Sequence, residues 1–184
     1  MDPGFVIVMQ CGIILAGMVL VARRFAIPML SRYPLEDVLC LLCLFHSFRY
    51  VIFGVFAPGN PLPIGGDLLS TAGDLSSSVL ALIAAAMLHA RTPGAIQTAW
   101  VFNLVGLADL IVSFPGAAKV YADGEPLGLS WHAFIYYAPA LLVTHLMMLG
   151  WLFRYADRLH GLYRAAFGPA LPVTRQPSAA LPII

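Results

Sequence analysis

The chain has 184 residues, of which 60% are hydrophobic and only 10% charged, and its ten basic and nine acidic side chains nearly cancel. With a mean hydropathy of +0.86, this composition excludes an ordinary soluble domain, and the lack of a basic stripe excludes nucleic acid as a partner. No polar segment is long enough to form a separate catalytic domain, so any chemistry belongs between the apolar segments or at their rims.

Five apolar stretches, at residues 5–22, 36–57, 67–89, 96–118 and 131–153, each approach the roughly 20 residues a spanning helix needs. The sequence therefore predicts an all-α membrane protein, a single bundle of five transmembrane helices over residues 1–164 with an irregular tail over 165–184. The first stretch follows Met1-Asp2-Pro3-Gly4, which lacks the basic flank and cleavage site of a secretory signal, so the helix is expected to be retained. It carries the unpaired Cys11 and ends at Arg23-Arg24, with Pro28 and Pro34 behind them.

The second stretch contains Cys40-Leu41-Leu42-Cys43, then His46 and Arg49. A redox or metal reading of the C-x-x-C pair competes with a packing one, in which cysteine acts as a small hydrophobe. His46 and Arg49 are i, i+3 neighbours and share a helix face. The Pro- and Gly-rich run from Pro58 to Asp67 follows, and its position suggests a lid. In the third stretch Asp67, Ser70, Asp74 and Ser77 recur at helical steps as a polar stripe.

Arg91-Thr92-Pro93-Gly94 separates the third and fourth stretches. On the fourth, Gly106, Asp109 and Ser113 share a face, Asn103 lies nearby, and Gly106 would let a neighbouring backbone approach closely. Asp123-Gly124-Glu125-Pro126 leads to the fifth, where Pro139 is expected to free a carbonyl and bend the helix beside Tyr136 and Tyr137, ahead of His145. His89, His132 and His160 fall at expected membrane edges and need no further account.

Under the five-helix reading Arg23, Arg24, Arg32, Arg91, Arg154, Arg158 and Arg164 fall on one side, and the other carries Lys119. The positive-inside rule then puts the N-terminus outside and the C-terminus in the cytoplasm, with Tyr121, Trp131 and Trp151 as interfacial anchors. Helical rise converts this topology into depth. Arg49, Asp74 and Asp109 fall roughly 10–14 Å from the outer face, and His46, Asn103 and His145 at roughly 16–22 Å.

Ionisable groups at such depth cost about 2.5–3.5 kcal/mol each on insertion scales and mark working sites. Arg49 stays charged and needs a buried partner. One of Asp74 and Asp109 can neutralise it, and the other then needs a proton, a histidine cation or a bound cation. The candidate catalytic residues are accordingly His46, Asp74, Asp109 and His145, with Arg49, Asn103 and Tyr137 as substrate contacts. The same His46, His145, Asp74 and Asp109 have the ligand types for zinc, iron or manganese, and a haem between the two histidines is the other cofactor option.

The arrangement His46-x-x-Arg49, Gly73-Asp74, Asn103-x-x-Gly106-x-x-Asp109, then Pro139 and His145 resembles that of a group of small bacterial polytopic membrane proteins, over residues 40–153. The resemblance implies a multi-pass protein of the bacterial inner membrane and no particular activity. Three functions stand open. One is a membrane-embedded enzyme or redox protein acting on a lipid-soluble small molecule. The second is a small proton- or ion-coupled transporter. The third is an accessory subunit of a larger membrane complex. Beyond the bilayer, the expected partners are a lipid-soluble or small polar ligand and a second copy or other subunits.

Overall fold

The computed structural model describes residues 3–49, 68–122 and 133–167, and among them it is all-helical, without a strand. Helix α1 (Pro3–Val21) opens on a proline, which suits the first turn because its missing N–H would be unbonded there anyway. The helix is apolar all round. Val8, Ile13 and Leu20 each leave more than half their surface exposed, which only a lipid surround makes tolerable.

Pro28 does not end this first rod, contrary to the break expected after residue 22. A π-helical segment (Ala22–Ala26) carries α1 into a last α-turn (Ile27–Leu30), so the apolar span is Val8–Leu30. Pro28 occupies the start of that last turn, where no N–H is required, and the N–H of Ile27 reaches five residues back to the carbonyl of Ala22.

Extended Pro34 (φ −53°, ψ 146°) precedes α2 (Leu35–Ser47), whose first turn carries Glu36 and Asp37 at the positive end of the helix dipole. The expected second helix, 36–57, is thus described only in its first part. Residues 50–67, with the suggested lid, lie outside the described residues, as do 123–132 and the tail from 168.

Helix α3 (Leu68–His89) and helix α4 (Ala95–Ala122) are joined by a tight turn in which Arg91 (φ 51°) and Gly94 (φ 86°) take the left-handed conformation. Glycine adopts that conformation without a Cβ penalty. The Gly94 carbonyl then accepts from both the N–H and the hydroxyl of Thr98, at 2.9 and 3.1 Å. Pro115 lies inside α4 without ending it.

A second π-helical segment (Ala133–Tyr137) leads into α5 (Ala138–Phe167). Pro139 stands two residues past it, the offset Pro28 keeps from Ala26. In both places a missing N–H coincides with a local change of hydrogen-bond period. The α-helix is therefore entered through a π-turn at Pro139, and it extends past the expected end at 153.

Met1–Leu152 form one compact unit, and Phe153–Ile184 a second, described only as helix as far as Phe167. Four helical spans (Val8–Leu30, Ala72–His89, Ala95–Pro115 and Ile135–Asp157) are long and apolar enough to cross a membrane. Within the first unit α3 packs against both α2 and α4, while α1 meets α4 and the π-segment before α5.

The apolar core fills the half of this unit next to the 31–34 and 90–94 turns. There Leu39, Leu42 and Cys43 of α2 meet Ala81, Ala84 and Leu88 of α3, and Ala99 and Phe102 of α4 meet Met148 and Leu152 of α5. The alanines of α3 let helices approach closely, as small residues do at helix contacts in lipid. An exposed ion pair, Arg91 with Asp37 at 3.9 Å, ties the 90–94 turn to the first turn of α2.

Candidate functional site

Beyond the apolar core, the interior changes character in two steps. First comes an imidazole layer. His46 on α2 and His145 on α5 are both fully buried, with ring centroids 4.0 Å apart and planes tilted by 47°. Phe102 flanks both rings at 5.3 and 5.4 Å. Asn103, also fully buried, accepts a hydrogen bond from His145 Nδ1 on its side-chain oxygen at 2.7 Å.

The Thr144 hydroxyl lies 2.9 Å from His46 Nε2 and donates into its own helix, to the carbonyls of Ala140 (2.8 Å) and Leu141 (3.0 Å). A hydroxyl has one proton, so with that proton turned to the helix, Thr144 accepts from His46 Nε2–H. Each neutral imidazole then offers a lone pair on its other nitrogen. Those atoms, His46 Nδ1 and His145 Nε2, are buried and have no hydrogen-bond partner among the described residues, and the same holds for Asn103 Nδ2 and Ser77 Oγ.

Two residues past the end of α2 begins an ionic layer. Arg49, 1% exposed, donates from Nε to Asp74 Oδ1 at 2.5 Å and from Nη2 to Asp109 Oδ2. Its Nη1 donates to the Gly106 carbonyl at 3.1 Å. Asp74 and Asp109 keep 14% and 11% of their side-chain surface exposed, so this layer opens beyond the bundle while the imidazoles do not. Ser113 donates to the other oxygen of Asp109 at 3.2 Å.

Both aspartates share the one guanidinium. Two carboxylates on one cation still leave one net negative charge if both are ionised.

Two glycines make this packing possible. A Cβ on Gly106 would stand 2.6 Å from His145 Cε1 and 2.7 Å from Nε2, and one on Gly73 would collide with the Asp109 carboxylate, 2.6 Å from its Cγ. Gly106 admits an imidazole, where the sequence had suggested a backbone. Its carbonyl also serves Arg49, so this residue joins the two layers.

The histidines therefore come together, and the aspartates come together around Arg49, as two adjoining groups. Among the described residues no three His, Cys, Asp or Glu side chains are placed to hold a metal ion. A haem between the histidines does not fit either. Two imidazoles on opposite faces of one iron, each bonded at about 2 Å, stand roughly 6 Å apart at their centroids, against 4.0 Å here.

Tyr137, expected to touch substrate, donates to the Phe45 carbonyl at 3.1 Å and lays its ring 5.4 Å from that of Phe45. Cys40 and Cys43 are free thiols, with Cys40 donating to the Ala85 carbonyl and Cys43 fully buried in the core. This is the packing reading of the C-x-x-C pair.

Thr144 and Phe102 were not singled out from sequence. An adjacent Thr-His pair at membrane depth was the available signal for Thr144. A phenylalanine in an apolar helix carries none.

A separate feature lies in the half of the bundle away from the 31–34 and 90–94 turns. A half-open cavity of about 420 Å³ runs between α1, α4 and the start of α5, lined by carbon from Gly12 and Leu15, Leu110 and Phe114, Ala138 and Leu142 among others.

The model of the family described as a domain of unknown function, DUF8737, matches residues 6–153. That range contains all five helices as far as the end of the first compact unit and every residue of both polar layers. No curated protein and no solved structure matches the chain. On the match over residues 6–153, the chain belongs to the DUF8737 family.

Proposed function

We propose that this is a protein of the bacterial inner membrane, N-terminus outside, in which His46, Asn103 and His145 bind the polar head of a lipid-soluble small molecule. In this reading it is a membrane-embedded enzyme, and His145 exchanges a proton with the head. The supporting observation is the set of buried polar atoms with no protein partner, His46 Nδ1, Asn103 Nδ2, Ser77 Oγ and His145 Nε2, in a bundle that satisfies Arg49 fully enough to spend a backbone carbonyl on it. Each unpartnered group costs about 1–3 kcal/mol. A network kept for helix register alone has no reason to leave so many of them unpaired.

The test is mass spectrometry of organic extracts from purified wild-type protein and from His145→Phe, with thermal unfolding to confirm that both fold. A lipid-soluble compound bearing oxygen, near one per chain in wild type and absent from the variant, is the expected result. Identical extracts overturn the reading. So does a metal present at one per chain and lost in the variant.

The second carboxylate on the single Arg49 guanidinium favours a second reading, a proton-coupled carrier. Its signature is gradient-driven uptake into liposomes that disappears in Asp109→Asn. A protein that folds, binds nothing and moves nothing would instead be an accessory subunit, recognised by a partner that co-purifies with it.

A further inference from the structure

The cavity and the imidazole layer lie on the same helix faces. On α4, residues 103, 106, 110 and 114 recur at helical steps, so Asn103, Gly106, Leu110 and Phe114 form one stripe. On α5, residues 138, 142 and 145 do the same, so Ala138, Leu142 and His145 form the facing stripe. One end of this α4–α5 seam is the Asn103–His145 hydrogen bond, and Leu110, Phe114, Ala138 and Leu142 further along it line the cavity. Leu142 precedes His145 by three residues, roughly 4.5 Å of rise, and Leu110 follows Gly106 by four, roughly 6 Å. The apolar cavity therefore begins about one helical turn along the seam from two buried polar atoms without a partner among the described residues, Asn103 Nδ2 and His145 Nε2.

We infer that this seam is the site of one amphiphile, a neutral carbonyl- or hydroxyl-headed molecule with a single isoprenoid or alkyl chain, chain in the α1–α4–α5 cavity and head at Asn103 and His145. The inference rests on the head-binding reading above and adds the chain. Its chemistry follows from the lining. A dry apolar cavity of about 150 Å³ already takes up benzene, and this half-open one has about 420 Å³ with walls that are nearly all carbon. Water finds no partners there.

At the polar end, the Asn103 amide donates to a carbonyl or hydroxyl oxygen, and His145 Nε2 accepts from a hydroxyl. A carboxylate or phosphate head is disfavoured because the neighbouring ionic layer, with both aspartates ionised, carries one net negative charge. Gly12 lines the cavity with nothing within 4 Å of the place its Cβ would occupy. Side-chain bulk added there fills the chain's space and touches neither polar layer.

The test uses full-length protein in phosphatidylcholine nanodiscs, titrated with a decyl-tailed benzoquinone and with the same quinone lacking its tail. Wild type is expected to bind the tailed probe about tenfold more tightly than the tail-less one. Gly12→Phe should remove that advantage and leave binding of the tail-less probe unchanged, whereas Asn103→Leu should weaken both. Equal binding of the tailed probe by wild type and Gly12→Phe overturns the chain site while sparing the head site. Binding of both probes unaffected by Asn103→Leu overturns the head reading itself. If neither probe binds and a phospholipid retained by wild type is lost in Gly12→Phe, the cavity holds a bilayer lipid and the inference fails.

Discussion

At the scale of single residues, Arg49 carries more of the site than any other group. Its guanidinium draws together α2, α3 and α4 through Asp74, Asp109 and the Gly106 carbonyl. Removing one partner of a buried ion pair strands the other, at a typical cost of 3–5 kcal/mol. Arg49→Met strands two acids, so it is expected to lower the thermal unfolding midpoint in detergent further than Asp74→Asn or Asp109→Asn, each of which leaves Arg49 one carboxylate. Combining Arg49→Met with both Asn substitutions should recover much of the loss. An Arg49→Met protein as stable as either single Asn variant would contradict this account.

The two glycines give a second residue-scale expectation. Glycine to alanine inside a helix ordinarily stabilises by about 0.8–1 kcal/mol. Here the added methyl meets His145 at position 106 and Asp109 at position 73. Overpacking of this kind costs about 1–3 kcal/mol, so Gly106→Ala and Gly73→Ala should both destabilise, as read from unfolding midpoints. Gly12→Ala and Gly17→Ala, whose new methyls meet nothing within 4 Å, should not.

At the scale of elements, the two π-segments belong to their prolines. Pro139→Ala supplies the missing N–H and lets a regular α ladder run back through Ala133–Tyr137. Removing the extra residue of the π-turn rotates that segment by about 100° relative to α5, which carries the Tyr137 hydroxyl away from the Phe45 carbonyl. A disulfide between cysteines introduced at 45 and 137 is expected to form readily in the parent and poorly with Pro139→Ala. Equal yields would mean the π-segment does not depend on Pro139.

At the scale of the whole molecule, the interior is stratified from an apolar core at the 31–34 and 90–94 turns, through the imidazole layer, to the ionic layer that is partly open. The excess of arginine on the side of Arg91 sets the expected insertion, N-terminus outside and C-terminus cytoplasmic. Epitope tags at the two ends, exposed to protease in intact spheroplasts, provide the test. Loss of the N-terminal tag with survival of the C-terminal one is expected, and the reverse pattern would invert the protein and place the ionic layer toward the cytoplasm.

Much of this protein was legible in its amino acids. Helicity, apolar spans and the identity of the polar residues follow from local composition and period, because a chain in lipid must bond its own backbone and hide its charges. The residues of both layers, His46, Arg49, Asp74, Asn103, Asp109 and His145, stood out for that reason.

How these residues combine was not legible, because partner choice depends on helix rotation and separation, which no single helix encodes. Tertiary packing alone decided that both aspartates share Arg49, that Gly106 admits the His145 ring, and that Thr144 meets His46. It also set the histidines too close for a haem plane. The prolines divide along the same line. Their missing N–H is written in the sequence, but whether the chain breaks, as expected after residue 22, or shifts to a π-turn and continues, as it does at Pro28, is decided by packing. In lipid, a spanning helix has every reason to keep its backbone bonded.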